Sequence, residues 1–362
     1  MAFAKTTPMP TTDTPATCSG LAWVSDSEPG IRRQRRGQHF VYLLPSGRRV
    51  RDEAVLQRIR RLAVPPAYRD VWICTRPDGH IQATGRDARG RKQYRYHPDW
   101  QAHRGQTKFD RLRAFGQVLP RLRQRVLRRL GSVGEPTRER VLATLVRLLD
   151  TTWLRIGNDE YARTNGSYGL STLRNRHVGV RGAELRLSFV GKSGVRHEVR
   201  LTDRLVARVV RRCQDLPGQE LFQYVDEDGA LGRLGSADVN AWLADASGDL
   251  HATAKDFRTW HGSVQALALT LAACSAEPMP TPAMVVAEVA RRLGNTPAVC
   301  RKAYIHPEVL ALGARLTTAE SGAVLLAEPW VTTPPAMRGL ALAERQLMGL
   351  LRRTQTGHRL RA

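Results

Sequence analysis

The chain has 362 residues, 42% of them hydrophobic, and its 57 Lys and Arg against 33 Asp and Glu leave a formal charge of +24. Such apolar content supports packed cores and excludes a wholly disordered chain, and no apolar run nears the ~20 residues that span a bilayer. Positive charge in this excess repels itself and points to a polyanionic partner, nucleic acid foremost, so a cytoplasmic, nucleoid-associated protein is expected.

Residues 1–28, rich in Thr, Pro and Ser, read as a disordered tail. From Gly30 the character changes. His39–Val50 (HFVYLLPSGRRV) predicts strand, Pro-Ser-Gly turn and strand, and DEAVLQRIRRLAV then predicts a short helix that Pro65 and Pro66 end. Asp70–Thr75 and His80–Gly85 predict further strands around the turn Pro77-Asp78-Gly79. These elements make a small β-rich domain over residues 29–101.

Beyond it the hydrophobic period becomes helical. Phe109, Leu112, Phe115, Leu119, Leu122, Val126 and Leu130 recur at steps of three or four, which makes one apolar stripe. Val141, Leu145, Leu148, Thr152 and Ile156 repeat the pattern, with Gly157 as the expected stop. A β-hairpin interrupts: Leu185, Leu187 and Phe189 alternate with polar neighbours, as do Val195, Val199 and Leu201, around the tip Gly191-Lys192-Ser193-Gly194. Helices are expected near 203–213, 236–245, 257–274, 281–293, 297–304 and 338–353. The unit 102–362 is therefore mainly helical, and the fold class is α+β.

Several motifs are excluded. Cys18, Cys74, Cys213, Cys274 and Cys300 are scattered and odd in number, which fits free thiols rather than a disulfide framework or a zinc site. Gly191-Lys192-Ser193 resembles the end of a phosphate-binding loop, but Arg186 stands where that loop needs Gly, and a strand follows. His and carboxylate residues show no HExxH or EF-hand spacing, and no glycine-rich dinucleotide signature occurs. The sequence thus points to no metal and no cofactor.

Two constellations remain. The run Arg86–Tyr96 (RDARGRKQYRY) packs Arg86, Arg89, Arg91, Lys92 and Arg95 around Gln93, Tyr94 and Tyr96. Cations neutralise phosphates, Gln reads an adenine edge, and Tyr stacks or donates to phosphate; a solvated charged loop with packing tyrosines is the plainer alternative. Further along, Arg155 sits where a long helix ends, Lys192 sits on the hairpin tip, and Arg258 lies in AKDFRTWHGS. Thr296 and Pro297 form a helix start after Gly294-Asn295, and Tyr304 follows about two turns later. Taken singly, each of these is an ordinary helix-end or core residue.

At these residues the sequence resembles the type IB DNA topoisomerases, in the compact poxvirus-like form found in bacteria. The likeness covers roughly residues 30–320 through VPPAYRDVWI, DGHIQATGRDARGRKQYRYHPDW, LRIGNDEYARTNGSYGLSTLRNRHV, FVGKSGVRHEV, AKDFRTWHG and LGNTPAVCRKAYIHPEV. It implies Tyr304 as nucleophile, Arg155, Lys192 and Arg258 as catalytic cations, and Asn295 where the family usually has His. It implies DNA contacts at Lys92, Gln93, Tyr94, Tyr96 and Arg104, and two domains closing on duplex DNA as a C-shaped clamp.

In that chemistry guanidinium forks clamp the non-bridging phosphate oxygens, and a lysine protonates the departing 5′ oxygen. The 3′-phosphotyrosyl product is still a diester, so religation needs neither ATP nor metal, and a monomer suffices. Asn295 donates a hydrogen bond without charge, and His261 is a candidate for the missing cation. A tyrosine recombinase shares this catalytic set, but its box is His-x-x-Arg where this chain has Lys255-Asp256-Phe257-Arg258. A non-catalytic basic nucleic-acid-binding protein would have no use for Arg155, Lys192, Arg258 and Tyr304 together.

Overall fold

The computed structural model describes residues 20–359 apart from 89, 133, 278 and 317, and excludes the side chains of 102–108, 319 and 354–359. The chain divides into two compact units, Met1–Lys108 and Phe109–Ala362.

The first unit holds β1 (Ile31–Arg36), β2 (His39–Leu43), α1 (Glu53–Arg61), β3 (Arg69–Ile73), β4 (Ile81–Arg86) and β5 (Lys92–Tyr96). The strands form one antiparallel sheet in the order β2-β1-β3-β4-β5. Its core gathers Ile31, Val50, Ile59, Val71, Ile73 and Ala83. The hairpin expected over 39–50 is corrected: β2 pairs with the preceding β1, and beyond Leu43 only a bridge to Arg49 forms. β1 hides from sequence reading because IRRQRR carries one apolar residue, yet pairing on both sides satisfies its backbone.

Of the tail expected over residues 1–28, residues 1–19 and Cys18 among them lie outside the described residues. Residues 20–28 pack on the sheet. Ala22 bridges Gly79, Val24 is buried and its N–H donates to His80 Nδ1 (3.1 Å), and Trp23 stacks on His80 at 3.8 Å.

Helix α2 runs over Pro98–Gly131, starting earlier than its apolar stripe because Pro98 is pre-set for a first helical position. Then come α3 (Arg138–Thr152), α4 (Asp159–Asn165), β6 (Val178–Arg181), β7 (Glu184–Val190), β8 (Arg196–Thr202), α5 (Arg204–Gln214), β9 (Gln223–Val225), β10 (Leu231–Arg233) and α6 (Ser236–Ser247). After them follow α7 (Ala254–Ala273), α8 (Pro282–Leu293), α9 (Pro297–Ala303), α10 (Pro307–Arg315), α11 (Ala319–Leu326), α12 (Pro329–Thr332) and α13 (Leu342–Arg359).

In the second unit every residue of the α2 stripe from Phe109 to Leu130 is buried, together with Val141, Leu145 and Leu148 of α3. α7 runs through this core, with Phe257 and Trp260 packed edge-on to Phe115. The sheet β6-β7-β8 is antiparallel, and Leu185, Leu187 and Phe189 turn inward. α3 ends at Thr152, not at Gly157. Trp153 takes the left-handed conformation (φ 59°), its N–H donates to Leu149 O, and its ring stacks on His261 at 5.2 Å. No helix among the described residues is long and apolar enough to cross a membrane, and none of their His, Cys, Asp and Glu side chains gather as a metal-binding group.

Candidate active site

Tyr304 caps the C-terminus of α9, whose start is built as the sequence predicts: Thr296 Oγ1 accepts from Val299 N–H, and Pro297 occupies the first turn. The tyrosine is anchored through its backbone. Its N–H donates to Cys300 O (2.9 Å). Its carbonyl accepts from Ser263 Oγ (3.3 Å), which itself accepts from His306 N–H (2.9 Å). Gly262 lies so close that a Cβ there would come 2.5 Å from the Tyr304 carbonyl oxygen. Adjacent small residues of α7 therefore form the floor beneath the Tyr304 backbone.

Arg258 rises from the same helix, is 3% exposed, and holds its guanidinium carbon 5.0 Å from the centre of the Tyr304 ring. Its nitrogens donate to the carbonyls of Trp153 and Leu293 (the latter at 2.7 Å). The left-handed turn at Trp153, costly for a bulky residue, thus supplies a carbonyl that aims Arg258. Arg155 donates to Gly294 O at 3.3 Å through both terminal nitrogens and to Asn295 Oδ1. Because Arg only donates, Asn295 must turn its oxygen to Arg155 and its NH2 away.

The two arginines concentrate positive charge beside Tyr304. Neither arginine pairs with a carboxylate among the described residues; their acceptors are carbonyl oxygens and, for Arg258, the Tyr304 side chain as well. Arg258 Nε and Asn295 Nδ2 are buried without an acceptor among the described residues. Burial, with the neighbouring Arg155 charge second, pulls Arg258 down to about 10, so it remains cationic at neutral pH. Burial also lowers Arg155, and Tyr304 opposes this. Buried donors without acceptors are costly, and an oxyanion beside Tyr304 would satisfy these two.

Lys192 does not join this cluster. It is exposed on the tip between β7 and β8, its ammonium 5.9 Å from the centre of the Tyr161 ring on α4. His261 does not supply a cation to Tyr304 either. It is buried, with Nε2 2.9 Å from Asp150 Oδ1. Arg123 forks to the same Asp150 (2.8 and 3.0 Å) and to Glu344 on α13 (2.7 and 2.8 Å). Burial pushes Asp150 up, but hydrogen bonds from His261 and Arg123 hold it below the usual carboxylate range. This chain of contacts braces Trp153, and through its carbonyl Arg258. Sequence reading missed Trp153, Asp150, Gly262 and Ser263, none of which carries a local signal.

In the first unit, β5 is an edge strand. Strand alternation sets Lys92, Tyr94 and Tyr96 on one face, with the two tyrosines stacked at 5.8 Å, and puts Gln93 on the other. Lys92 Nζ is 2.6 Å from Asp26 Oδ2 and 5.5 Å from the Tyr94 ring centre. Gln93 Nε2 donates to Asp87 Oδ2 (3.0 Å). The Arg104 side chain and Arg89 lie outside the described residues.

Residues 97–316, which contain Arg155, Lys192, Arg258, Asn295 and Tyr304, match the family described as eukaryotic DNA topoisomerase I, catalytic core. Residues 39–87 match the N-terminal domain of bacterial DNA topoisomerase IB. DNA topoisomerase 1B of Acanthamoeba polyphaga mimivirus is 32% identical over 294 residues, 78% of this chain and 87% of that one. DNA topoisomerase I of monkeypox virus and DNA topoisomerase 1B of vaccinia virus (strain Copenhagen) are each 25% identical over 179 residues, 47% of this chain and 53% of theirs. A topoisomerase catalytic-core match follows an N-terminal-domain match of the bacterial type IB enzymes, which favours this family over the tyrosine recombinases. With a relative aligned along most of both chains, the protein belongs to the type IB DNA topoisomerases, DNA-acting isomerases.

Proposed function

We propose that the chain relaxes supercoiled duplex DNA through a transient 3′-phosphotyrosyl bond at Tyr304, without ATP or metal. The observation that carries this reading is Tyr304 set against two guanidiniums that no carboxylate among the described residues neutralises, with Arg258 Nε and Asn295 Nδ2 buried beside it and lacking an acceptor among those residues. Tyr304 Oη gives up its proton to solvent water as it attacks phosphorus. The charge that gathers on the non-bridging oxygens is met by Arg155, Arg258 and the Asn295 amide, pre-set donors of the kind worth roughly 10²–10³-fold each. The bond to the 5′ oxygen breaks as the Lys192 ammonium gives that oxygen a proton. Exposure at a hairpin tip, with Ser193 at φ 65°, suits Lys192 to reach a bound strand. The free 5′ end swivels about the intact strand, and the reverse transfer reseals the nick.

Lys92, Gln93, Tyr94, Tyr96 and Arg104 contact the DNA backbone and base edges in this scheme, and the two units close on the duplex as a C-shaped clamp. One copy carries every residue invoked, so the active species is a monomer, working on nucleoid DNA in the cytoplasm. The test is relaxation of a supercoiled plasmid in EDTA without nucleotide, beside Tyr304→Phe. The wild type should relax it and leave protein on the 3′ end of detergent-quenched DNA, with the variant doing neither. Relaxation by Tyr304→Phe, or attachment at another residue, would overturn the assignment.

A further inference from the structure

One imidazole touches both halves of the proposed machinery and has no part in it so far. His197 lies on β8, half-buried, opposite Phe189 in the ladder and stacked on it at 5.1 Å. Its edge meets glycine on two sides. A Cβ on Gly191, the residue before Lys192, would come 2.7 Å from Cδ2 and 2.8 Å from Nε2 of the ring. A Cβ on Gly294, the residue before Asn295, would come 2.6 Å from Cε1. Gly294 has φ 58° and offers the carbonyl that receives Arg155, so both its conformation and its closeness to His197 demand glycine. The ring is therefore wedged between the root of the hairpin tip and the turn that carries Asn295 and anchors Arg155. Neither ring nitrogen hydrogen-bonds a described protein group, so packing alone holds it.

We infer that His197 is a positioning residue that seats the Lys192 hairpin tip against the Asn295 turn, so that the lysine reaches the departing 5′ oxygen. The inference rests on the reading of Lys192 as the proton donor. A charged ring would be out of place there, and burial, followed by the Arg155 and Arg258 charges, pulls the imidazole below its ordinary range. It acts as a neutral wedge.

The test separates leaving-group protonation from everything else the site does. A DNA strand with sulfur in place of the bridging 5′ oxygen at the scissile bond leaves as a thiolate, which is stable near pH 8.5 and needs little help from a proton donor. On the ordinary strand His197→Ala should slow single-turnover cleavage by about 10²-fold, the scale of a misplacement near 1 Å, with DNA affinity unchanged. On the sulfur strand both His197→Ala and Lys192→Ala should recover to within about tenfold of wild type, since the step they serve is bypassed. The double variant should be no slower than Lys192→Ala alone. His197→Phe keeps the stacked ring and should cleave both strands at near wild-type rates, which guards against a folding defect in the alanine variant. Equal slowing on both strands, or no slowing, overturns the positioning role while Lys192 stands. If Lys192→Ala is not rescued, the proton-donor reading fails and this inference fails with it.

Discussion

Replacing Gly262 by Ala tests how tightly the nucleophile is held. The added Cβ would stand 2.5 Å from the Tyr304 carbonyl oxygen, 3.2 Å from Tyr304 Cβ and 3.3 Å from Leu293 Cδ1. Ordinary contacts need about 3.5 Å, so the nearest is short by about 1 Å. The carbonyl cannot move alone: Ser263 Oγ holds it, and the next residue, Ile305, is fully buried. Overpacking of this kind costs about 1–3 kcal/mol, and Ala returns about 1 kcal/mol of helix propensity, so stability falls by at most about 2 kcal/mol. A tyrosine displaced by about 1 Å loses about 10²-fold in rate, or about 2.7 kcal/mol at the transition state. Single-turnover formation of the covalent adduct, beside urea unfolding of the same variant, should show the rate falling much further than the stability. A Gly262→Ala enzyme that forms adduct at the wild-type rate refutes this account of how the tyrosine is fixed.

Asp150→Ala leaves Arg123 and His261 without their shared buried carboxylate and should cost about 3–5 kcal/mol, read as a lower urea midpoint. His306 caps α10 through Nδ1, which accepts from Glu308 N–H at 3.2 Å, and burial lowers it to about 4. With a folded value below the ordinary 6.5, its contribution is complete above about pH 6.5 and is lost as pH falls toward 4. The loss is about 3 kcal/mol, and His306→Asn should flatten that part of the pH–stability curve; parallel curves would count against it. DNA affinity should fall steeply with salt, and Lys92→Ala should reduce the log–log slope by about 1. Asp26→Asn, which frees Lys92 from its ion pair, should tighten binding by up to about fivefold at low salt.

The helical unit was legible because its stripes are strictly periodic: every apolar position marked on α2 is buried. The proposed cluster was legible only through resemblance, since Arg155, Arg258, Asn295 and Tyr304 are far apart in the chain and meet through folding. Where sequence reasoning failed, pairing or packing had replaced local pattern. β1 and β5 are arginine- and tyrosine-rich strands stabilised by their neighbours. The stop of α3 at Trp153 rather than Gly157 is set by the stack on His261 and by the carbonyl that Arg258 takes. His261, weighed as a spare cation, is instead bound to Asp150. No alternation rule announces that a histidine fits between two distant glycines.

Glu344 lies on the last helix, outside residues 97–316, yet it receives the Arg123 fork and the Trp260 indole N–H (3.0 Å). Arg123 in turn grips Asp150, two contacts away from the turn that orients Arg258. A fragment trimmed to the shared family core would retain every reacting group. It would nevertheless strip an acceptor from a buried guanidinium and an indole, so the outermost helix serves as a keystone for a reaction it never touches.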